Sequence, residues 1–319
     1  MSPEPTQGRR LVALRRWTDV ATVGLFIVIL IGFLDTFTFS ADGCGIQWPL
    51  CNGGVTPGPG LQSEVEYWHR AITGLVGTLV VVVAIWVWRR YRHPLEVRVF
   101  AAVCVVFVVV QAALGAAAVF APESAALLAT HFGFALLAFA GIGLLDAVLR
   151  QRERAQTGWE FRQRSLPRNL TRYIWLVLLY TLALIYWGTY VAHRGAGEAC
   201  QGWPLCNGLL WPGFHGLETL IFAHRLGALA DGVLLAGLFW LAQRQRAERP
   251  DVWRAAQVAL GLVALQIASG AYLILSHLSL NAEMLHVALV TILFLDLAYL
   301  AVQTLPSHPR AAEAPGAIL

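Results

Sequence analysis

Four histidines stand at matched positions in long apolar stretches of the sequence. His69 and His131 are 62 residues apart, and so are His224 and His286. Two imidazoles at matched depth on neighbouring helices can supply one axial nitrogen to each face of a haem. The alternative is that each histidine only hydrogen-bonds to a neighbouring helix, but ionisable residues inside a membrane are expensive and usually functional. The pattern therefore favours two haem sites, each with two histidine ligands.

An arginine follows the first histidine of each pair, at Arg70 and Arg225. A guanidinium group at this position is suited to charge-assisted hydrogen bonds with haem propionates. A long arginine side chain also reaches out readily to the membrane surface. The sequence alone leaves both interpretations open.

Glu66 precedes His69 by three residues, so it shares a helix face with that histidine. A carboxylate in partly apolar surroundings is suited to accept a proton or to stabilise a developing positive charge. The corresponding residue before His224 is Ile221. We therefore predict that Glu66 is catalytic, that the first histidine pair forms a reactive site, and that the second pair holds a cofactor.

Four of the five cysteines form two closely spaced pairs, Cys44 with Cys51 and Cys200 with Cys206. Thiols this close usually oxidise to disulfides outside the cytoplasm. Each bridge either fastens a loop over a haem pocket or has a redox role, which makes Cys44 and Cys51 further candidates for catalysis. A zinc site is less well supported, because the intervals are long and no second ligand pair is near. Cys104 is predicted to be a small packing residue.

The elements that position these residues are predicted to be transmembrane helices. Of 319 residues, 57% are hydrophobic and 13% are charged, whereas about a quarter are charged in soluble domains; the mean hydropathy is +0.61. Eight apolar runs are each long enough to cross a hydrocarbon core of about 30 Å. Backbone groups in lipid must be bonded within each segment, and no alternating barrel pattern appears, so the predicted class is all-α. The predicted spans are about 18–40, 63–88, 97–120, 126–149, 173–193, 217–243, 254–276 and 282–303. This composition excludes a soluble enzyme and a nucleic-acid-binding protein, despite the net charge of +4.

The basic residues predict the orientation in the membrane. All 23 are arginines, and twenty lie before the first run, in 89–98, in 150–172, in 244–254 or in the tail. The positive-inside rule places these segments in the cytoplasm, so both termini are cytoplasmic and the cysteine loops face outward from the cell membrane. The first run is longer than a signal-peptide core and lacks a convincing cleavage site, so we predict a retained helix.

The sequence contains an internal repeat. Trp48-Pro-Leu-Cys-Asn-Gly53 recurs at Trp203-Pro-Leu-Cys-Asn-Gly208, an offset of 155 residues. The same offset relates the histidine, arginine, glutamine and glycine pairs His69 and His224, His131 and His286, Arg70 and Arg225, Gln111 and Gln266, and Gly115 and Gly270. We predict two parallel four-helix units, in which these glutamines and glycines serve helix packing. The predicted organisation is a tail (1–17), a first half (18–149), an arginine-rich linker (150–172), a second half (173–303) and a tail (304–319).

Over residues 18–303 the chain resembles the haem A synthase family. The resemblance is carried by the C-x-x-x-W-P-L-C-N-G loop, the E-x-x-H-R motif of Glu66–Arg70, the paired histidines and the two fused four-helix units. It implies that a ring methyl of haem O is oxidised to a formyl group by successive hydroxylations, with water as the oxygen source and electrons passed to an acceptor. It also implies that His224 and His286 hold haem b, while His69, His131 and Glu66 form the substrate-haem site. The first loop departs from the family in having Cys-Gly-Ile-Gln where Cys-Pro-Asp is commoner.

Two other classes of protein would use the same histidines. A di-haem electron-transfer cytochrome needs four ligands but does not need Glu66 in one half only. A haem transporter or chaperone would bind the ring in transit without changing it. A synthase would bind haem O, contact membrane lipid and pass electrons to an acceptor. Its expected protein partners are a haem O synthase or a second copy of the chain.

Overall fold

The computed structural model describes residues 5–91, 95–121, 124–155, 165–213 and 215–305, and every long element in these ranges is an α-helix. The helices are α1 (Pro5–Phe37), α2 (Leu61–Arg90), α3 (Leu95–Phe120), α4 (Ala125–Ala155), α5 (Arg168–His193), α6 (Leu217–Gln243), α7 (Pro250–Leu275) and α8 (Leu280–Gln303). Each contains a stretch long and apolar enough to cross a membrane. The predicted all-α, multi-pass membrane class is confirmed.

Several helices extend beyond the apolar runs. Helix α4 continues to Ala155 and α5 begins at Arg168, so both enter the segment 150–172 that was predicted to be a linker. Hydropathy marks only the part of a helix inside the hydrocarbon, whereas arginine and glutamate are good helix formers that continue the backbone ladder beyond it. Residues 156–164 of the predicted linker and 306–319 of the predicted tail lie outside the described residues.

Helices α4 and α8 occupy the centre of the molecule. Helices α1 to α4 pack against one another, as do α5 to α8, and the two sets meet through contacts of α4 with α5 and α8, of α5 with α8, and of α1 with α8. One apolar core runs through both sets. The short connections between α3 and α4 and between α7 and α8 join antiparallel helices that pack along their length.

Polar contacts fix some helices against each other where apolar packing in lipid gives little direction. Arg150 of α4 pairs with Asp19 of α1 and with Asp146, whose carboxylate also accepts a hydrogen bond from Thr18 at 3.1 Å. Between α5 and α6, the buried hydroxyl of Thr181 donates to Asp231 at 2.7 Å. These contacts set the relative rotation of helices that carry the site residues.

Candidate functional site

Two long loops, 38–60 (loop 1) and 194–216 (loop 2), contain the cysteine pairs. Each turns back at an Asn-Gly dipeptide: Asn52 and Gly53 have φ of 50° and 79°. Positive φ at both central positions defines the type I′ hairpin turn, which Asn-Gly favours. Cys51 and Gly54 on either side exchange two backbone hydrogen bonds, and loop 2 repeats this arrangement at Cys206–Leu209. The dipeptide therefore holds the second cysteine of each pair in a tight hairpin.

The structure joins the cysteines in the predicted pairs. Cys44 is bonded to Cys51 and Cys200 to Cys206, with Cα atoms 4.2 Å and 4.7 Å apart. All four are buried, so each bridge faces the helices beneath it. Cys104 is a free, buried thiol within the apolar core, in agreement with its predicted packing role.

Arg70 and Arg225 bind the loops. Arg70 donates to the carbonyl of Leu50 at 2.6 Å and to that of Gly45 at 3.1 Å. Arg225 donates to the carbonyls of Leu205 at 2.8 Å and Cys200 at 2.9 Å. Each guanidinium group thus anchors a disulfide loop to the helix that carries the first histidine of a pair.

Glu66 is buried, and each of its carboxylate oxygens has a partner. Oε2 accepts the backbone N–H of Cys44 at 2.6 Å, and Oε1 pairs with Arg70. Asp35 of α1 lies within electrostatic range of both Glu66 and Arg70. It is 8% exposed, and its Oδ1 has no hydrogen-bond partner within the described ranges. Two carboxylates and one guanidinium group are therefore gathered under loop 1.

The corresponding region under loop 2 is apolar. The repeat offset is 156 residues up to the first cysteine of each pair and 155 from the second, because loop 1 has one residue more between its cysteines. Val191 and Ile221 thus stand where the first half has Asp35 and Glu66, and they pack in one apolar cluster with the second disulfide. The two halves differ in charge at the contact between disulfide and helices.

Each of the four histidine rings lies against a glycine of the preceding helix. The pairs are Gly32 with His69, Gly115 with His131, Gly188 with His224 and Gly270 with His286. A Cβ atom built on these glycines would lie 2.9, 3.1, 2.5 and 3.5 Å, respectively, from Cε1 of the ring. At Gly32 and Gly188 a side chain would overlap the imidazole, so the ring position depends on glycine.

The histidines of each predicted pair lie near each other. His69 and His131 lie within electrostatic range of each other, as do His224 and His286. A glutamine approaches the second histidine of each pair: Nε2 of Gln111 lies 3.0 Å from Nε2 of His131. Nε2 of Gln266 lies 3.0 Å from Nε2 of His286. The two glutamines therefore bond across helices, as predicted.

These surroundings fit a haem between each pair of histidines. In the part of the chain that the structure describes, Nδ1 of His69, His131 and His224 is buried without a hydrogen-bond partner, as is Oε1 of both glutamines. Buried polar atoms are almost always paired, so these five unpaired atoms fit a group bound beside the histidines. Imidazole nitrogens are ligands for haem iron. The same ranges contain no group of three or more histidine, cysteine or acidic side chains that would hold a bare metal ion.

Asp35, Gly32, Gly188 and Ser269 contribute to the site but were not predicted from the sequence. Asp35 could have been found as an ionisable residue inside the first apolar run, which is unusual in itself. The two glycines correspond at the offset of 156, which a search with a single fixed offset misses. Ser269 contacts Nδ1 of His286 at 2.9 Å, and no feature of the sequence indicates this contact.

Comparison with known proteins agrees with this geometry. Residues 62–298 match the COX15-CtaA family, described as cytochrome oxidase assembly protein. The chain is similar to the heme A synthase of Symbiobacterium thermophilum, with 41% identity over 92% of this chain and 96% of the relative. The heme A synthase of Alkalihalophilus pseudofirmus is 35% identical over 92% of this chain and 99% of its own length. That of Geobacillus kaustophilus is 33% identical over 94% and 95%. Because the family model matches residues 62–298 and these relatives are 33–41% identical over more than nine-tenths of the chain, the chain belongs to the COX15-CtaA family.

Proposed function

We propose that this protein is a haem A synthase, a membrane oxidoreductase that converts haem O to haem A. The observation that carries the proposal is the unequal chemistry of two similar sites. Both halves place a histidine pair, a glutamine and an arginine-anchored loop together, but only the first adds Glu66 and Asp35. The first site has carboxylates that can take part in a reaction, whereas the second has the histidines that would hold a haem.

Haem O is assigned to the first half and haem b to the second. In this proposal His69 and His131 would bind the iron of the substrate, and His224 and His286 would hold haem b as a resident cofactor. Haem b, when bound, supplies one-electron transfer. The apolar contact of Val191 and Ile221 with the second disulfide supports this division, because the second half has no carboxylate at the positions where the first half has Asp35 and Glu66.

The reaction needs a group that removes protons. Each hydroxylation of the ring methyl adds the oxygen of one water and releases two electrons and two protons. After two such steps the carbon carries two hydroxyl groups, and loss of one water leaves the formyl group. Glu66 is suited to stabilise the developing positive charge on this carbon and to accept a proton from the incoming water. The electrons leave to an external acceptor.

Loop 1 contacts the residues of the first site and helps to hold Glu66 in place. Glu66 is fastened to loop 1 through the backbone of Cys44, and Arg70 links the same carboxylate to two loop carbonyls. A change in the Cys44–Cys51 bridge is thereby transmitted to Glu66, whether the bridge acts as a fastening or as a redox group. Arg70 and Arg225 stand beside the histidines, where a propionate would compete with the loop carbonyls for the guanidinium group. The loops face the outside of the cell membrane.

Haem analysis in a suitable host tests this function. The chain is co-expressed with a haem O synthase in cells that lack haem A, and the extracted haems are separated chromatographically. We expect haem A and its hydroxylated precursor to accumulate only when both proteins are present, and haem b to be extracted in every case. Extraction of haem b alone, with haem O unconverted, would favour a di-haem cytochrome. Unchanged haem O bound to the purified protein would favour a transporter.

A further inference from the structure

Ser269 of α7 is buried and contacts the imidazole of His286 on α8. Its Oγ lies 2.9 Å from Nδ1 of the ring and donates to the carbonyl of Gln266 at 2.8 Å. A hydroxyl has one proton, and here that proton is directed to the carbonyl. Towards His286, Ser269 must therefore act as an acceptor.

This contact determines which ring nitrogen of His286 carries the proton. Because Ser269 accepts, the proton is on Nδ1. The side-chain amide of Gln266 donates to Nε2 at 3.0 Å, which independently requires a lone pair on Nε2. Both contacts select the tautomer with a lone pair on Nε2. Iron would take that lone pair in place of the Gln266 amide, whereas the Ser269 contact at Nδ1 would remain.

The first half lacks this hydroxyl. At the repeat offset of 155, position 114 corresponds to Ser269, and it is leucine. Gln111 approaches Nε2 of His131 at 3.0 Å, as in the second half, but Nδ1 of His131 is buried without a partner in the described ranges. Nδ1 of His69 and His224 is likewise unpaired there. Of the four imidazoles, only that of His286 has both nitrogens bonded in the part of the structure that is described.

We propose that Ser269 is a positioning residue that makes the second site the permanent haem site, while Leu114 leaves the first site free to exchange its haem. This inference rests on the proposed function. A hydrogen bond from Nδ1–H orients a ligating histidine and raises the basicity of Nε2, and its loss typically costs about 10- to 100-fold in metal affinity. A haem A synthase must hold its cofactor haem more tightly than its substrate haem, because the substrate must leave as product whereas the cofactor must stay.

Haem transfer from the purified, haem-loaded protein to excess apomyoglobin tests the inference. We expect Ser269→Ala to release haem b about 10- to 100-fold faster than the parent protein, and Ser269→Thr, which keeps a hydroxyl, to behave as the parent. Leu114→Ser should slow the release of haem from the first site. The midpoint potential of haem b should rise in Ser269→Ala, because a less basic imidazole stabilises ferric iron less well.

The outcomes separate this inference from the proposed function. Parent-like release and potential in Ser269→Ala, in a protein that does contain haem b, would overturn the role of Ser269 alone. That role is also overturned if Ser269→Thr loses haem as fast as Ser269→Ala, since the hydroxyl would then be irrelevant. Absence of haem b from the parent protein would overturn both. Leu114→Ser leaves the second half intact, so it tests the inference even if the Ser269 variants do not fold.

Discussion

The carboxylate of Glu66 accepts a hydrogen bond from the backbone N–H of Cys44 at 2.6 Å. A residue on α2 that shares a helix face with His69 is thereby joined to the first cysteine of the loop 1 disulfide. At the equivalent place in the second half, Ile221 packs against the disulfide in an apolar cluster. The repeat thus keeps its loops and histidines while replacing the carboxylate that contacts the loop with an apolar side chain.

We expect Glu66→Gln to fold, to retain haem b and to accumulate haem O or its alcohol. Glutamine can still accept the Cys44 N–H, but it can neither take a proton nor stabilise positive charge. Loss of a general base typically slows a reaction by about 100- to 10,000-fold. The measurement is the haem O to haem A ratio in extracts, with haem b as the internal standard.

The matched control for Glu66→Gln is Ile221→Glu, which places a carboxylate at the corresponding position of the second half. It should not create a second reactive site, because under the proposed function that half would keep a resident haem b. Near-normal haem A output from Glu66→Gln would show that the carboxylate is dispensable.

Alanine variants of the two histidine pairs should differ in their effects on haem b binding and on haem A formation. His224→Ala or His286→Ala removes one axial nitrogen, so the low-spin b-type absorbance should be lost from the purified protein. His69→Ala or His131→Ala should abolish haem A formation and leave that absorbance largely intact. Full b-type absorbance in both His224→Ala and His286→Ala would refute the assignment of haem b to the second half.

The glycines beside the histidines provide a test of ring placement. In Gly188→Ala the new Cβ would lie 2.5 Å from Cε1 of His224, so the imidazole must move and haem b should be lost or become high-spin. Gly270→Ala places a Cβ 3.5 Å from Cε1 of His286, an ordinary contact distance, and should retain the parent spectrum. If the two variants have the same spectrum, the rings do not occupy these positions.

The disulfides are expected in the protein isolated from the membrane. Mass spectrometry of unreduced peptides should find Cys44 linked to Cys51 and Cys200 linked to Cys206. Such bridges typically contribute about 2–4 kcal/mol to stability, so Cys200→Ser and Cys206→Ser should lower the unfolding temperature.

The serine variants of the first pair distinguish two roles for that bridge. If Cys44–Cys51 only fastens loop 1, stability and haem A output should fall together in Cys44→Ser. A stable, haem-loaded Cys44→Ser protein that forms no haem A would instead assign the bridge a redox role.

The sequence by itself determined the membrane class, the eight membrane-spanning stretches and the cysteine pairs, and it predicted the histidine pairs and the singular position of Glu66. Apolar length and fixed spacing are local properties, and a repeated motif identifies its counterpart without a structure. Only the tertiary structure decided what these residues touch. The ends of α4 and α5, the loop carbonyls bound by Arg70 and Arg225, the glycines under the histidine rings and the hydroxyl of Ser269 at His286 all depend on how one helix is rotated and shifted against another. In lipid that arrangement follows from side-chain packing and from polar contacts between helices far apart in the chain, and the hydropathy of a single helix does not encode it.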